Sequence, residues 1–184
     1  RPYFRENIEL QPSGSLSGSI GWVATSVGHC MTHLYMLAFP ALITPLRAEF
    51  GLSLADALQL GFLAYLLYGV GALPAGLITD RWSARWMLVL CLAICGAGAA
   101  CAGMSRSPAT LTISLAMIGV GASIYHPTGM ALISRTFSDR RGWALGINGV
   151  VTGTGLGGFF ASGLLSLFCL IRIHLLGHFR RRFR

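Results

Sequence analysis

The chain has 184 residues, of which 54% are hydrophobic and only 11% charged. A soluble domain carries about 25% charged residues, and fourteen arginines with six acids do not cover a soluble surface of this size, which argues against a soluble enzyme and equally against a disordered chain. Every cation is an arginine, and the net charge of +8 is spread in short groups between long apolar runs, a pattern that suits anionic lipid headgroups and not nucleic acid.

A bilayer span needs about 20 mostly apolar residues. Five stretches qualify, near 20–46, 54–78, 86–104, 111–133 and 143–165. The links between them are short, so consecutive spans are antiparallel neighbours. The expected fold class is an all-α membrane protein, a bundle of about five transmembrane helices. Residues 1–19 form a polar, mobile N-terminal segment that begins with arginine and reads as lacking its true start.

The first span contains Thr25, Ser26, His29, Thr32 and His33. His29 lies four residues after Thr25, and Thr32 and His33 lie three and four after His29, which puts Thr25, His29, Thr32 and His33 on one helical face. Such a stripe does not belong against lipid and is expected to face a wet cavity as a solute or proton pathway. A buried, hydrogen-bonded role is the alternative. The HxxxH spacing also suits a metal, but with no third ligand nearby in the sequence no metal is assigned.

The second span has Asp56 and Asp80 at its ends, Pro74 as a kink, and Gln59, Tyr65 and Tyr68 as further cavity-lining candidates. The link after it reads GLITDRWSARWML from Gly76 to Leu88. Gly76, Asp80, Arg81 and Arg85 match the signature loop of the major facilitator superfamily of secondary transporters, which this segment resembles; Ser83 and Ala84 depart from it. The resemblance implies a cytoplasmic gate formed by Asp80 with Arg81 and Arg85. It further implies that the chain is the amino-terminal part of a twelve-helix transporter whose carboxy-terminal half is a missing partner. The second and fourth links carry Arg81, Arg85, Arg135, Arg140 and Arg141 against Arg47 and Arg106 on the other side. The positive-inside rule therefore makes the N-terminus cytoplasmic, and the expected location is a bacterial inner (plasma) membrane.

In the third span Cys91 and Cys95 are i, i+4; with Cys30, Cys101 and Cys169 they form neither a disulfide framework nor a zinc site and read as small buried residues. The fourth span carries GVGASIYHPTG, with His126 mid-span and Pro127 opening the helix. Together with HCMTHLYMLAFPALITPL in the first span it resembles the fosmidomycin-resistance-type branch of the superfamily. The superfamily's usual fourth-span arginine is absent, and His126 is expected in its place.

Gly142, Gly146, Gly149, Gly153 and Gly157 recur at steps of 4, 3, 4 and 4, a small-residue stripe for helix packing. Gly149, Gly153, Gly157 and Gly158 resemble the glycine-rich fifth-span motif of antiporters, with Thr154 where that motif has proline. Asn148 and Thr152 add a polar pair. Residues 166–184 end in FRRRFR on the side where the arginine rule wants few cations, so this basic tail reads as truncated or out of frame.

The expected function is secondary active transport of a small solute by alternating access. The resemblance implies proton-coupled efflux of a drug or small organic anion, with lipid and solute as partners, no cofactor and no nucleic acid. With no carboxylate central in a span, His29, His33 and His126 are the proton candidates, an imidazole titrating ordinarily near pH 6.5. The alternative is a non-transporting remnant, or a packing subunit that dimerises through the glycine stripe.

Overall fold

A computed structural model describes residues 16–152; the segment 1–15, the second half of the fifth predicted span and the basic tail lie outside the described residues. Among the described residues six helices follow in order: α1 Leu16–Phe50, α2 Leu54–Arg81, α3 Ala84–Met104, α4 Pro108–Ser123, α5 Tyr125–Thr136 and α6 Arg141–Thr152, with a 3-10 turn at Ser138–Arg140. Among the described residues four segments are by length and composition sufficient to cross a bilayer: Ile20–Phe50, Leu54–Arg81, Ala84–Met104 and Pro108–Thr136. Helix α6 is the described start of the fifth predicted span.

The helix ends explain where the expected boundaries shift. Helix α1 continues past residue 46 because its stop signal is Gly51, in the left-handed region at φ 66°. The Leu52 N–H returns to the Arg47 carbonyl at 3.1 Å, the six-to-one bond of a Schellman cap, with Leu46 and Leu52 both against the core. Ser53 caps α2 by accepting from the Asp56 N–H at 3.2 Å, which also sets a carboxylate at the positive end of the helix. Helix α2 runs through Asp80 and Arg81, so the first part of the signature loop is helical. Helix α4 opens with a capping box between Ser107 and Thr110 and with Pro108 in its first turn.

The fourth span differs most from expectation: it is two helices, parted at Ile124. Pro127 has no N–H to offer the carbonyl four residues back, at Ser123, and its ring crowds that carbonyl. The Ile124 N–H turns instead to Gly121 O at 3.2 Å, a tighter turn that ends α4. The break sets Tyr125 and His126 at the start of α5, near the middle of the span.

Packing is inverted relative to a soluble protein. Ile20, Val23, Phe62, Val70, Leu73, Leu77, Val89 and Val150 are exposed, while Thr25, His29, Thr32, Thr79, Ser114, Ser123, Thr128 and Asn148 are buried. That is the arrangement expected of helices solvated by lipid, which draw together by close contact of small residues and by interhelical hydrogen bonds. Helix α4 packs most extensively, against α2 on one side and α3 on the other. A Cβ on Gly119 would run into the backbone carbonyl of Ala64 in α2, and one on Gly121 would meet the Cys95 nitrogen at 2.9 Å. Met36, Phe39, Leu60, Ala64, Cys95, Leu111, Leu115, Ile118 and Ala122 fill one half of the bundle. In the other half, beside Ala75, Met87, Cys91, Ile124 and Tyr125, the packing gives way to polar side chains.

Candidate functional site

Helix α1 buries Thr25, His29, Thr32, Met36 and Phe39 on one face, at offsets of 4, 3, 4 and 3. The polar part of that stripe meets the start of α5 and the middle of α6. His29 Nδ1 donates to Asn148, at 2.8 Å to Oδ1 and 3.1 Å to the backbone carbonyl. The carbonyl is an acceptor in any rotamer, so the proton of His29 sits on Nδ1 and Nε2 carries the lone pair. His33 Nε2 lies 3.1 Å from His29 Nε2 and is the donor of that pair. The Asn148 amide donates to Ser26 Oγ at 3.1 Å. Tyr125 donates to the Thr25 carbonyl at 2.9 Å, lies 3.4 Å from Asn148 Oδ1, and stacks on His29 with ring centroids 4.8 Å apart.

His126 closes the group. Its ring stands edge-on to His29, His33, Tyr125 and Tyr68, with centroids 5.4, 5.8, 5.5 and 6.1 Å away. The ligating nitrogens of His29, His33 and His126 all lie within 4.8 Å of one another. His29 is buried while His33 and His126 are only partly so. His29 lies nine residues into the apolar segment Ile20–Phe50 of α1, roughly 13 Å along the axis.

The structure therefore joins His29, His33, His126 and Asn148 into one cluster. Thr25 and Thr32 are buried, and their hydroxyls donate to α1's own carbonyls at Gly21 (2.7 Å) and Gly28 (2.9 Å), in keeping with the buried, hydrogen-bonded alternative for this stripe. Asn148 meets His29, while Thr152 ends α6 and its side chain lies outside the described residues. The third imidazole that was missing from the HxxxH motif is His126, from a different helix. Ser26 enters as the Asn148 partner, off the predicted stripe, and Tyr68 stands beside His126. Sequence reasoning missed Tyr125; its place directly before His126 and Pro127 was the available signal.

Within the signature loop Asp80 pairs with Arg135 at 3.5 Å, in the last turn of α5, and Arg81 and Arg85 are exposed. Beneath this ion pair Thr79 Oγ1 and Thr128 Oγ1 are hydrogen-bonded at 2.7 Å. One turn further in, a Cβ on Gly76 would touch Pro127 at 3.5 Å. The motif thus fastens α2 to α5 on the arginine-rich end, just outside the histidine cluster. At the same end Trp22 stacks on Trp143 at 5.9 Å, an aromatic pair of the kind found at membrane interfaces. The described glycines of the fifth-span stripe, Gly142, Gly146 and Gly149, have open space where a Cβ would stand; Gly153 and Gly157 lie outside the described residues. Cys91 and Cys95 are buried.

Comparison with known proteins agrees with this architecture. Over 104 residues the chain is 32% identical to the puromycin resistance protein of Streptomyces alboniger, covering 55% of this chain and 21% of that protein. Over 137 residues it is 29% identical to a probable 4-methylmuconolactone transporter of Cupriavidus pinatubonensis, covering 74% of this chain and 31% of the relative. The chain thus spans between a fifth and a third of the length of these curated relatives. No solved structure matches it. Both the family and a relative named as a transporter point away from an enzyme. Residues 22–174 match the description Major Facilitator Superfamily, and on that match, with the helical membrane fold and the signature loop, the chain belongs to the Major Facilitator Superfamily.

Proposed function

We propose that the chain forms one wall of the solute pathway in a secondary transporter that works by alternating access. The observation that carries this reading is the polar cluster of His29, His33, His126 and Asn148 near the middle of an otherwise apolar bundle. Ionisable groups at that depth are expensive in lipid and belong at substrate or ion pathways. The broken fourth span supports it, since interrupted helices in transporters bring backbone and polar side chains to the midplane site. Proton-coupled efflux of a drug or small organic anion is the version we favour. The relative named for puromycin resistance supports efflux. The described carboxylates Glu49, Asp56, Asp80 and Asp139 are all exposed at helix ends, which leaves imidazoles as the side chains that exchange protons between pH 5 and 8. The arginine count supports a cytoplasmic N-terminus, and relatives from Streptomyces and Cupriavidus support a bacterial inner membrane. The carboxy-terminal half of the transporter supplies the facing wall and covers the open glycine face of α6.

Bacteria expressing the uninterrupted reading frame are expected to accumulate less of an exported aromatic drug or organic anion than control cells. A protonophore is expected to abolish the difference. Equal accumulation across a panel of such solutes, in cells whose membranes contain the protein, overturns the transport reading; an effect that survives the protonophore overturns proton coupling.

The Asp80–Arg135 pair is the proposed gate, released when that end opens. Being exposed, it stabilises by about 0–1 kcal/mol, so Asp80→Asn is expected to leave folding intact. It should raise, severalfold, the rate at which a thiol reagent reaches a cysteine substituted at Tyr68 from the arginine-rich end. An unchanged rate removes the gate.

A further inference from the structure

We infer that His29, His33 and His126 bind a divalent first-row transition cation, of which zinc is the type, on the wall of the central pathway. This site rests on the same wall proposed above but not on proton coupling or on any particular solute. Two helices contribute the ligands, α1 with an i, i+4 pair and α5 with His126 in its first turn. Zinc–nitrogen bonds of about 2.0–2.1 Å put two imidazole nitrogens on one ion about 3.3 Å apart when the geometry is tetrahedral. The His29 and His33 Nε2 atoms already stand 3.1 Å apart, and one ring nitrogen from each of the three histidines lies within 4.8 Å of the others. His126, partly exposed at the helix break, closes the remaining gap by rotating its side chain.

The surroundings of His29 match those of a metal-binding histidine. A ligating imidazole almost always donates its other ring N–H to a carbonyl or carboxylate, which fixes the tautomer and aims the lone pair at the metal. Asn148 does this to His29 with two oxygens, at 2.8 and 3.1 Å. Stacking on Tyr125 holds the ring plane. Besides the rotation of His126, binding asks a tautomer change of His33: it gives up its Nε2 proton for one on Nδ1, and the cation takes the place of that proton between the two rings. Three imidazoles select zinc, copper or nickel over magnesium or calcium, which prefer oxygen. Three protein ligands leave a fourth position open. Since the cluster contains no carboxylate, the bound cation keeps its double charge, and an anionic group suits that position better than water.

The test uses the 184-residue chain in detergent, purified through a tag without histidine and with His174 and His178 replaced by glutamine throughout. Zinc is titrated against a chelating dye, and cobalt is read by its visible spectrum. One zinc per chain is expected, with a tetrahedral cobalt spectrum lacking thiolate absorption. His33→Gln and His126→Gln should each weaken binding at least tenfold, and Asn148→Ala by about 10–100-fold. Circular dichroism selects the variants that keep their helix content, and the two glutamine variants give independent readings. Affinity unaffected by both glutamine variants, or a thiolate band from the cysteines, overturns the site. Metal binding without solute flux would refute transport alone; flux without metal binding would refute this site alone.

Discussion

Gly119→Ala is expected to destabilise the bundle more than any other single-methyl change in the described helices. An added Cβ there has nowhere to go, because it meets the backbone of α2 at Ala64 and not the end of a side chain that can swing away. Overpacking a rigid site costs about 1–3 kcal/mol, and here two main chains must part to relieve it. Parting them withdraws α4 from its most extensive partner and loosens the core around Leu60, Leu115 and Ile118. Gly69→Ala is the matched control. It lies on the exposed face of α2 with nothing within 4 Å of the new methyl, so removing the glycine should be neutral or gain up to about 1 kcal/mol of helix stability. Reversible unfolding in mixed micelles, followed by circular dichroism, measures both. Equal midpoints for the two variants would mean that the α2–α4 contact does not hold the bundle together.

The contrast between these two glycines shows what the sequence could convey. Length and apolar composition are local properties, so the first three spans and their order were legible, as was the polar stripe of α1 from its helical period. The depth of a glycine in a contact is not local. The regular stripe at Gly142, Gly146 and Gly149 promised packing, yet its described part faces open space, while the tightest contact falls on Gly119, which has no comparable stripe. The same limit governs the site. His29 and His33 are neighbours by helical arithmetic, but Asn148 reaches His29 across 119 residues and Tyr125 reaches Thr25 across 100. Likewise Asp80 is drawn to Arg135 because α2 and α5 end side by side, whereas Arg81 and Arg85, closer along the chain, point elsewhere. Pro127 did announce a disturbed helix; the disturbance parts α4 from α5 at Ile124, which itself keeps helical dihedrals, beside contacts of Gly121 with α3 and of Ser123 with α2.

Replacement of His33 by alanine is expected to cut solute flux at least tenfold while membrane insertion and helix content stay as they were. His33 gives His29 its hydrogen bond at 3.1 Å and, only partly buried, links the buried His29–Asn148 pair to the accessible side of the cluster. Interhelical hydrogen bonds in membranes contribute about 0.6–2 kcal/mol each, and this one lies within a single helix, so its loss does not unfold the bundle. On the proposed function the chemical loss is larger, since alanine would remove a proton carrier where the network meets the proposed pathway, and a tenfold effect corresponds to about 1.4 kcal/mol in the rate-limiting barrier. Thr32→Val is the discriminating companion. Thr32 is adjacent in sequence, but its hydroxyl is buried and bonded to the Gly28 carbonyl of its own helix, a carbonyl that keeps a backbone partner when the hydroxyl is gone. Flux through Thr32→Val should therefore remain within about twofold of the parent protein. Uptake or efflux assays on cells with matched amounts of each variant in the membrane decide the matter. If both variants transport normally, the polar cluster is a packing device; if both fail equally, the face of α1 acts as a whole and the His33–His29 contact has no separate role.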